Sequence, residues 1–254
     1  MTLSTISRKL AHALIPPAFW LGVWQLAATA VGRQLLLPAP YVVLSNLRAL
    51  VITPVFWQTA LVSLARIFAG LLAGIALGTL LGVLTTAFRW ADLLLSPAVK
   101  VVRATPVASF IILVLLWVES GRVPGVMSAL MVLPVVWGNV SAGIRKTDPL
   151  LLELCSAYRF GAAKKLRLLY IPSVLPYFVS ACNTSLGLAW KAGVAAEVLC
   201  LPRLAIGTRL YYSKLYLETP ALFAWTLVVV ALSFLVEWGV GMLLQKTGKG
   251  APPP

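Results

Sequence analysis

The sequence predicts an all-α, polytopic membrane protein with about six transmembrane helices, and three observations predict it. Of its 254 residues 60% are hydrophobic and only 11% charged, with a mean hydropathy of +0.93, far from the composition of soluble domains. Apolar runs of about 20 residues, enough to cross about 30 Å of hydrocarbon, recur along the whole chain and leave no room for a second, soluble domain. The Lys and Arg residues behind the net charge of +14 sit in the gaps between those runs, a topological placement and not a basic face for nucleic acid.

Taken in order, the expected spans lie near 14–31, 60–87, 96–118, 124–143, 173–199 and 221–244. An even number puts both termini on one side. With that side cytoplasmic, thirteen cations fall inside or at the inner end of a span, among them Lys100 and Arg103, against six outside, while Arg66 and Lys191 fall within spans. The inside excess obeys the positive-inside rule. Arg8 and Lys9 before the first apolar run also have the outline of a cleaved signal peptide, but the run is long for one, and a retained anchor is favoured. Between the first two spans, Tyr41–Val51 reads as an amphipathic piece lying along the outer interface. In the second span Gly70, Gly74, Gly78 and Gly82 repeat every fourth residue, which lets another helix approach closely, within the chain or from a second subunit.

Cys155, Cys182 and Cys200 are odd in number and without close spacing, and the chain has one histidine, His12, so neither a disulfide framework nor a zinc site is expected. The same scarcity of His, and only seven acidic residues, leaves no visible catalytic set for a membrane enzyme. No G-x-x-x-x-G-K-[ST] loop occurs, since Gly248-Lys249-Gly250 lacks its first half, so no nucleotide site is expected on this chain.

The longest polar interruption on the expected inner side is Arg145–Pro176. Asp148-Pro149 reads as a helix start, Asp accepting free backbone N–H groups and Pro suiting the first turn. Leu150, Leu151, Leu154, Ala157 and Tyr158 then form an apolar stripe opposite Glu153 and Ser156, giving a short amphipathic helix ready for a partner's groove. Basic Lys164-Lys165-Leu166-Arg167 follows, and Pro172 and Pro176 mark the start of the fifth span.

This segment resembles the cytoplasmic loop of the binding-protein-dependent ABC importer permeases, which reads Glu-Ala-Ala, three residues, Gly, nine residues, Ile, one residue, Leu-Pro. Anchored on Pro172, the frame places Glu153 on the motif's Glu, Leu154 and Cys155 on the alanines and Arg159 on the glycine. Arg159 there removes a flexible turn and adds a cation. A register two residues later would bring Gly161 onto the glycine but lose Glu and Pro. Ser63-Leu64-Ala65-Arg66, Gly78-Thr79-Leu80-Leu81-Gly82, Arg103-Ala104-Thr105-Pro106 and Ala195-Ala196-Glu197 extend the likeness over about residues 20–245, toward the nitrate/sulfonate/taurine-type branch.

The resemblance implies a type I ABC importer permease fold: an N-terminal cytoplasmic segment over 1–13, one transmembrane domain over 14–245 with a coupling loop at 145–172, and a disordered cytoplasmic tail over 246–254. It implies a bacterial inner-membrane protein with two ATPase subunits below, a second permease copy beside it and an extracytoplasmic solute-binding protein above. ATP and Mg would be bound by the ATPase, and no cofactor by this chain. Asp148, Leu151, Glu153, Leu154, Ala157, Tyr158, Arg159 and Gly161 are then the candidates for ATPase coupling.

Ionisable groups inside spans are costly and hence functional candidates. Asn183, Trp190 and Glu197, spaced by seven, stay within about 40° on a helix, with Thr184, Gly187 and Lys191 beside them. These six are the candidate substrate path, although snorkelling of Lys191, local pairing of Glu197 and packing of Asn183 explain them equally. Arg66 and Arg103 are further groups able to attract an anion. The branch implies a small anion as solute, with a pyrimidine-type vitamin precursor as the alternative. From a different class, a channel or secondary transporter shares the mid-membrane polarity but has no use for the 145–176 loop.

Overall fold

The computed structural model describes residues 3–248, with side chains described over 15–242. Residues 249–254 of the expected tail, and the side chains of Arg8, Lys9, His12 and Lys246, lie outside the described residues. The described chain is helical throughout: α1 (Leu3–Val31), α2 (Pro40–Val51), α3 (Pro54–Ala87), α4 (Arg89–Ala104), α5 (Val107–Val114), α6 (Val123–Arg145), α7 (Pro149–Ala157), α8 (Ala162–Lys165), a π turn (Leu166–Tyr170), α9 (Ile171–Cys200), α10 (Ile206–Leu215) and α11 (Thr219–Gly248).

Apolar runs become helices because hydrocarbon offers no partner to an unpaired backbone group. Helices α3 and α6, and Thr219–Met242 of α11, are each long and apolar enough to cross a membrane, and α4 with α5 is so as a pair. The 30 residues of α9 match in length but carry Asn183, Lys191 and Glu197. The apolar stretch Ile15–Val31 of α1 completes the six expected segments.

The third segment is not the straight span expected over 96–118. Helices α4 and α5 meet at 110°. Pro106 has no N–H with which to continue α4 and forces the residue before it out of the helical region, and Thr105 is extended, with ψ at 132°.

The chain forms two compact units, one of residues up to Thr59 with Arg209–Val229, the other of Ala60–Thr208 with Val230 onward. In the first, Trp24 on α1 donates its indole N–H to the Pro38 carbonyl at 3.1 Å and stacks on Phe223. Phe56 stacks on Trp225, and Thr219 donates to the Leu35 carbonyl. Gly32, with φ at 62°, gives α1 the left-handed end that a side chain would resist.

In the second unit the glycine ladder of α3 lies on α6. A Cβ at Gly70 would fall on the Gly125 carbonyl, one at Gly74 would come 2.7 Å from the Ala129 carbonyl oxygen, and one at Gly78 2.8 Å from that of Leu133. Both series climb by four in the same direction, so α3 and α6 run parallel with their backbones touching. The ladder's partner is thus within the chain. Helix α9 packs antiparallel on α6: Ser128 donates to the Ala189 carbonyl at 3.0 Å, and Gly143 faces Val174 and Tyr177.

Helix α4 runs antiparallel along the last turns of α6, where Asp92 pairs with Arg145 at 3.6 Å. At the other end Ile111 and Val114 of α5 pack with Val123 and Met127 at the start of α6. The α4–α5 pair therefore travels the length of α6 despite its bend. Cys155, Cys182 and Cys200 are all free thiols.

Candidate functional site

The segment between α6 and α9 is ordered by its own backbone. Asp148 accepts a hydrogen bond from the Leu150 N–H at 2.8 Å, with Pro149 in the first turn, so α7 begins where capping chemistry puts it. Cys155 is its one buried residue. The stripe turns outward: Leu150 is 72% exposed, Leu154 53% and Tyr158 71%, and Leu151, Glu153 and Ala157 are open as well. No described residue of the second unit covers that face.

The end of α7 bears on the two registers. The Phe160 N–H bonds to the Cys155 carbonyl at 2.8 Å and the Arg159 N–H to that of Ser156 at 3.0 Å, a helix end that needs a left-handed residue. Arg159 supplies it, with φ at 52°. Gly161 sits at φ −64° with open space around it, a conformation any residue can hold. The position where the motif expects glycine is thus the one whose backbone favours glycine, and the turn survives with Arg159 in it. Lys164 then covers the Phe160 ring at 4.0 Å. Pro172, in the first turn of α9, removes a backbone donor, and the helix widens into the π turn just before it.

The six α9 candidates do not share one environment. Asn183, Thr184 and Lys191 are open, whereas Trp190 and Glu197 are enclosed, at 4% and 0% exposure. Glu197 is enclosed because the 201–207 turn folds back over the end of α9. Glu197 Oε2 accepts from the Gly207 N–H at 3.0 Å, and Ser63 Oγ accepts from the Ile206 N–H at 2.9 Å. Arg66 donates to the carbonyls of Arg203 at 3.0 Å and Leu204 at 3.4 Å. Three side chains from α3 and α9 thus cap the start of α10 and bind the turn before it, a carboxylate at a helix N-terminus being electrostatically favourable. Gly207 is what lets the strands of the turn meet, since a Cβ there would lie 2.5 Å from Glu197 Cβ.

Two groupings are not evident from the sequence, although Arg103 by itself is expected there to attract an anion. Glu237 on α11 lies against Gly187, 3.2 Å from where a Cβ would stand, and is the lone acid of its apolar run. The other is the edge of α4: Arg89, Asp92, Ser96, Lys100 and Arg103 fall within an arc of about 80° at 100° per residue. Three of these, Asp92, Ser96 and Lys100, face Trp137, Ser141 and Arg145 of α6 across a cavity of about 520 Å³. The spacing was visible in the sequence once the helix is begun at 89 instead of 96. A second, apolar cavity of about 680 Å³ lies between α3, α6 and the π turn, walled by Val83, Val140, Ile144, Leu166, Tyr170 and Phe178.

Residues 70–249 match the protein family described as binding-protein-dependent transport system inner membrane component. The chain is 25% identical over 235 residues to a putative aliphatic sulfonates transport permease protein of Bacillus subtilis, covering 92% of this chain and 85% of the relative. It is 25% identical over 252 residues to the taurine transport system permease protein of Escherichia coli, covering 95% and 90%. To the bicarbonate transport system permease protein of Synechococcus elongatus it is 23% identical, covering 94% and 88%.

Proposed function

We propose that this chain, which belongs to the family of binding-protein-dependent transport system inner membrane components, forms the passage for a small anion and takes its mechanical drive through α7. It is a permease subunit of an ABC importer, a multi-pass protein of the inner membrane, and permeases of this family work with an ATPase and a solute-binding protein.

Two ATPase subunits lie on the α7 side, which is cytoplasmic together with both termini, and they carry the ATP and Mg sites. This chain binds no cofactor. A second copy stands beside it, and the solute-binding protein docks on the opposite, extracytoplasmic side. The cation excess near α7 supports that orientation.

The observation that carries the coupling role is the outward apolar face of α7. Leu150, Leu154 and Tyr158 are more than half exposed on a helix with both ends fixed. Apolar side chains held rigidly in water are suited to a partner's groove. The relatives' substrates, aliphatic sulfonates, taurine and bicarbonate, support an anion. The test is uptake by the assembled importer in vesicles with Ala157→Arg in α7. Uptake and its coupling to ATP hydrolysis are lost while the protein still inserts; coupled uptake at the normal rate removes α7 from the drive.

A further inference from the structure

We infer that the polar edge of α4, carried by Ser96, Lys100 and Arg103, is the anion-bearing wall of the passage on the α7 side of the membrane. The inference rests on the anion reading above and names the residues that read the charge.

Depth is the first argument. Asp92 lies at Arg145, the end of α6, and the cavity that Lys100 lines reaches Trp137 and Gly138, seven to eight residues back along α6. At 1.5 Å per residue Lys100 is then about 11 Å in from the α7 end, and Arg103 about 15 Å, half the thickness of a hydrocarbon core of about 30 Å. Cations at such depth are rare, and where they occur they face a partner charge or a water-filled space.

Charge is the second. Among the described residues, the one ion pair is Asp92–Arg145, and Asp92 also accepts from Ser96 Oγ. The sole acid on this edge is thus spent on Arg145, and Lys100 and Arg103 stay open and without an acidic partner among the described residues. The rest of α4 argues against lipid around them, because the exposed apolar residues Trp90, Leu94 and Val101 occupy a separate arc of the helix, with Leu93 beside Lys100 at the cavity. A helix with Lys100 at a cavity, Arg103 one turn further on, and most of its apolar side elsewhere is built to border water on one side.

Position is the third. Trp190 and Glu197 of α9 are buried, Glu197 against the 201–207 turn, so α4 offers what that part of α9 cannot. Two successive cations, at i and i+3, make a path for a carboxylate, sulfonate or carbonate-type group, each contact weak enough to be left for the next.

The experiment uses the whole importer, permease with its ATPase and binding protein, in proteoliposomes. Lys100→Gln and Arg103→Gln each lower anion uptake about tenfold, the loss of one charged hydrogen-bond partner, while assembly and ATP hydrolysis stimulated by the binding protein persist. Lys100→Arg restores uptake. Unchanged uptake in both Gln variants, or failed assembly of them, overturns the assignment. In a background with Cys155, Cys182 and Cys200 replaced, Lys100→Cys and Arg103→Cys react faster with a sulfonate-bearing thiosulfonate than with an ammonium-bearing one of the same size. Equal rates or no reaction place the edge against lipid or a sealed interface and overturn the wall. An importer that moves no anion, yet keeps the anionic preference at both cysteines, overturns the anion substrate and leaves the wall standing.

Discussion

The α7 loop and the 201–207 turn use the same backbone device and are held in opposite ways. Each bends through left-handed residues that carry side chains, Arg159 at φ 52° in the first, Leu201 and Leu204 at φ 50° in the second. Around 201–207 the strain is matched by Ser63, Arg66 and Glu197, which bind four backbone groups of the turn and of the start of α10. Around Arg159 only the loop's own backbone does so, and the apolar face of α7 is left uncovered. One turn is closed by its own chain; the other leaves an apolar face open beside it. The strained residues of these two segments therefore mark two different things, a clamp and an open face.

The difference can be broken first at α7. Ala157→Arg lowers coupled uptake by at least about 30-fold, as loss of an interface hot spot of about 2 kcal/mol implies, with no change in the melting temperature of the isolated subunit; a fall in melting temperature would mean that α7 is supported from within. At the other turn the signs reverse. Glu197→Ala strips the buried Gly207 N–H of its acceptor and costs about 1–3 kcal/mol, read as a lower melting temperature in detergent, whereas Glu197→Gln keeps an acceptor and loses less. A stability unchanged by Glu197→Ala would deny the clamp.

Arg66→Gln is expected to cost less, about 1 kcal/mol, because its carbonyl partners stay within reach of water. Hydrogen exchange at residues 203–207 measures it, and the rates should rise there and not in α7. The smallest effect is at Arg159→Gly, which relieves a left-handed side-chain residue and, after the entropy glycine adds to the unfolded chain, stabilises by about 0.5–1 kcal/mol. Proteolysis of the loop should slow slightly. Faster cleavage would show that the Arg159 side chain, not its backbone, holds the turn.

These contrasts also show which features the sequence could carry. Apolar runs reveal spans because span length is set by the bilayer, independent of neighbours. Asp148-Pro149 revealed the start of α7 because capping is local. The bend at Thr105-Pro106 escaped because apolar residues continue on both sides of it, and a proline alone does not say how far a chain will turn. The glycine ladder was legible as a ladder, but its partner, Gly125 to Leu133, lies on a helix some fifty residues away. The frame from Glu153 to Pro172 located the Arg159 turn, although only the backbone told that the conformation, not the residue, is kept. Glu197 was placed with Asn183 by periodicity, which sees one helix and is blind to a turn folding back from beyond its end. Lys100 and Arg103 were assigned to the inner end of a span because that span was begun seven residues late.

The meeting of α3 and α6 through the Gly70–Gly82 ladder has a mechanical meaning. Side chains that interdigitate can change rotamer and soak up a push; two backbones in contact have no such slack. Arg145, three residues before the cap of α7, is the last residue of α6, and Ser63 and Arg66, which grip the far turn, belong to α3. The two helices thus form one stiff spar with a free handle at one end and a fixed grip at the other, so that a shove at the handle arrives at the grip with little backlash.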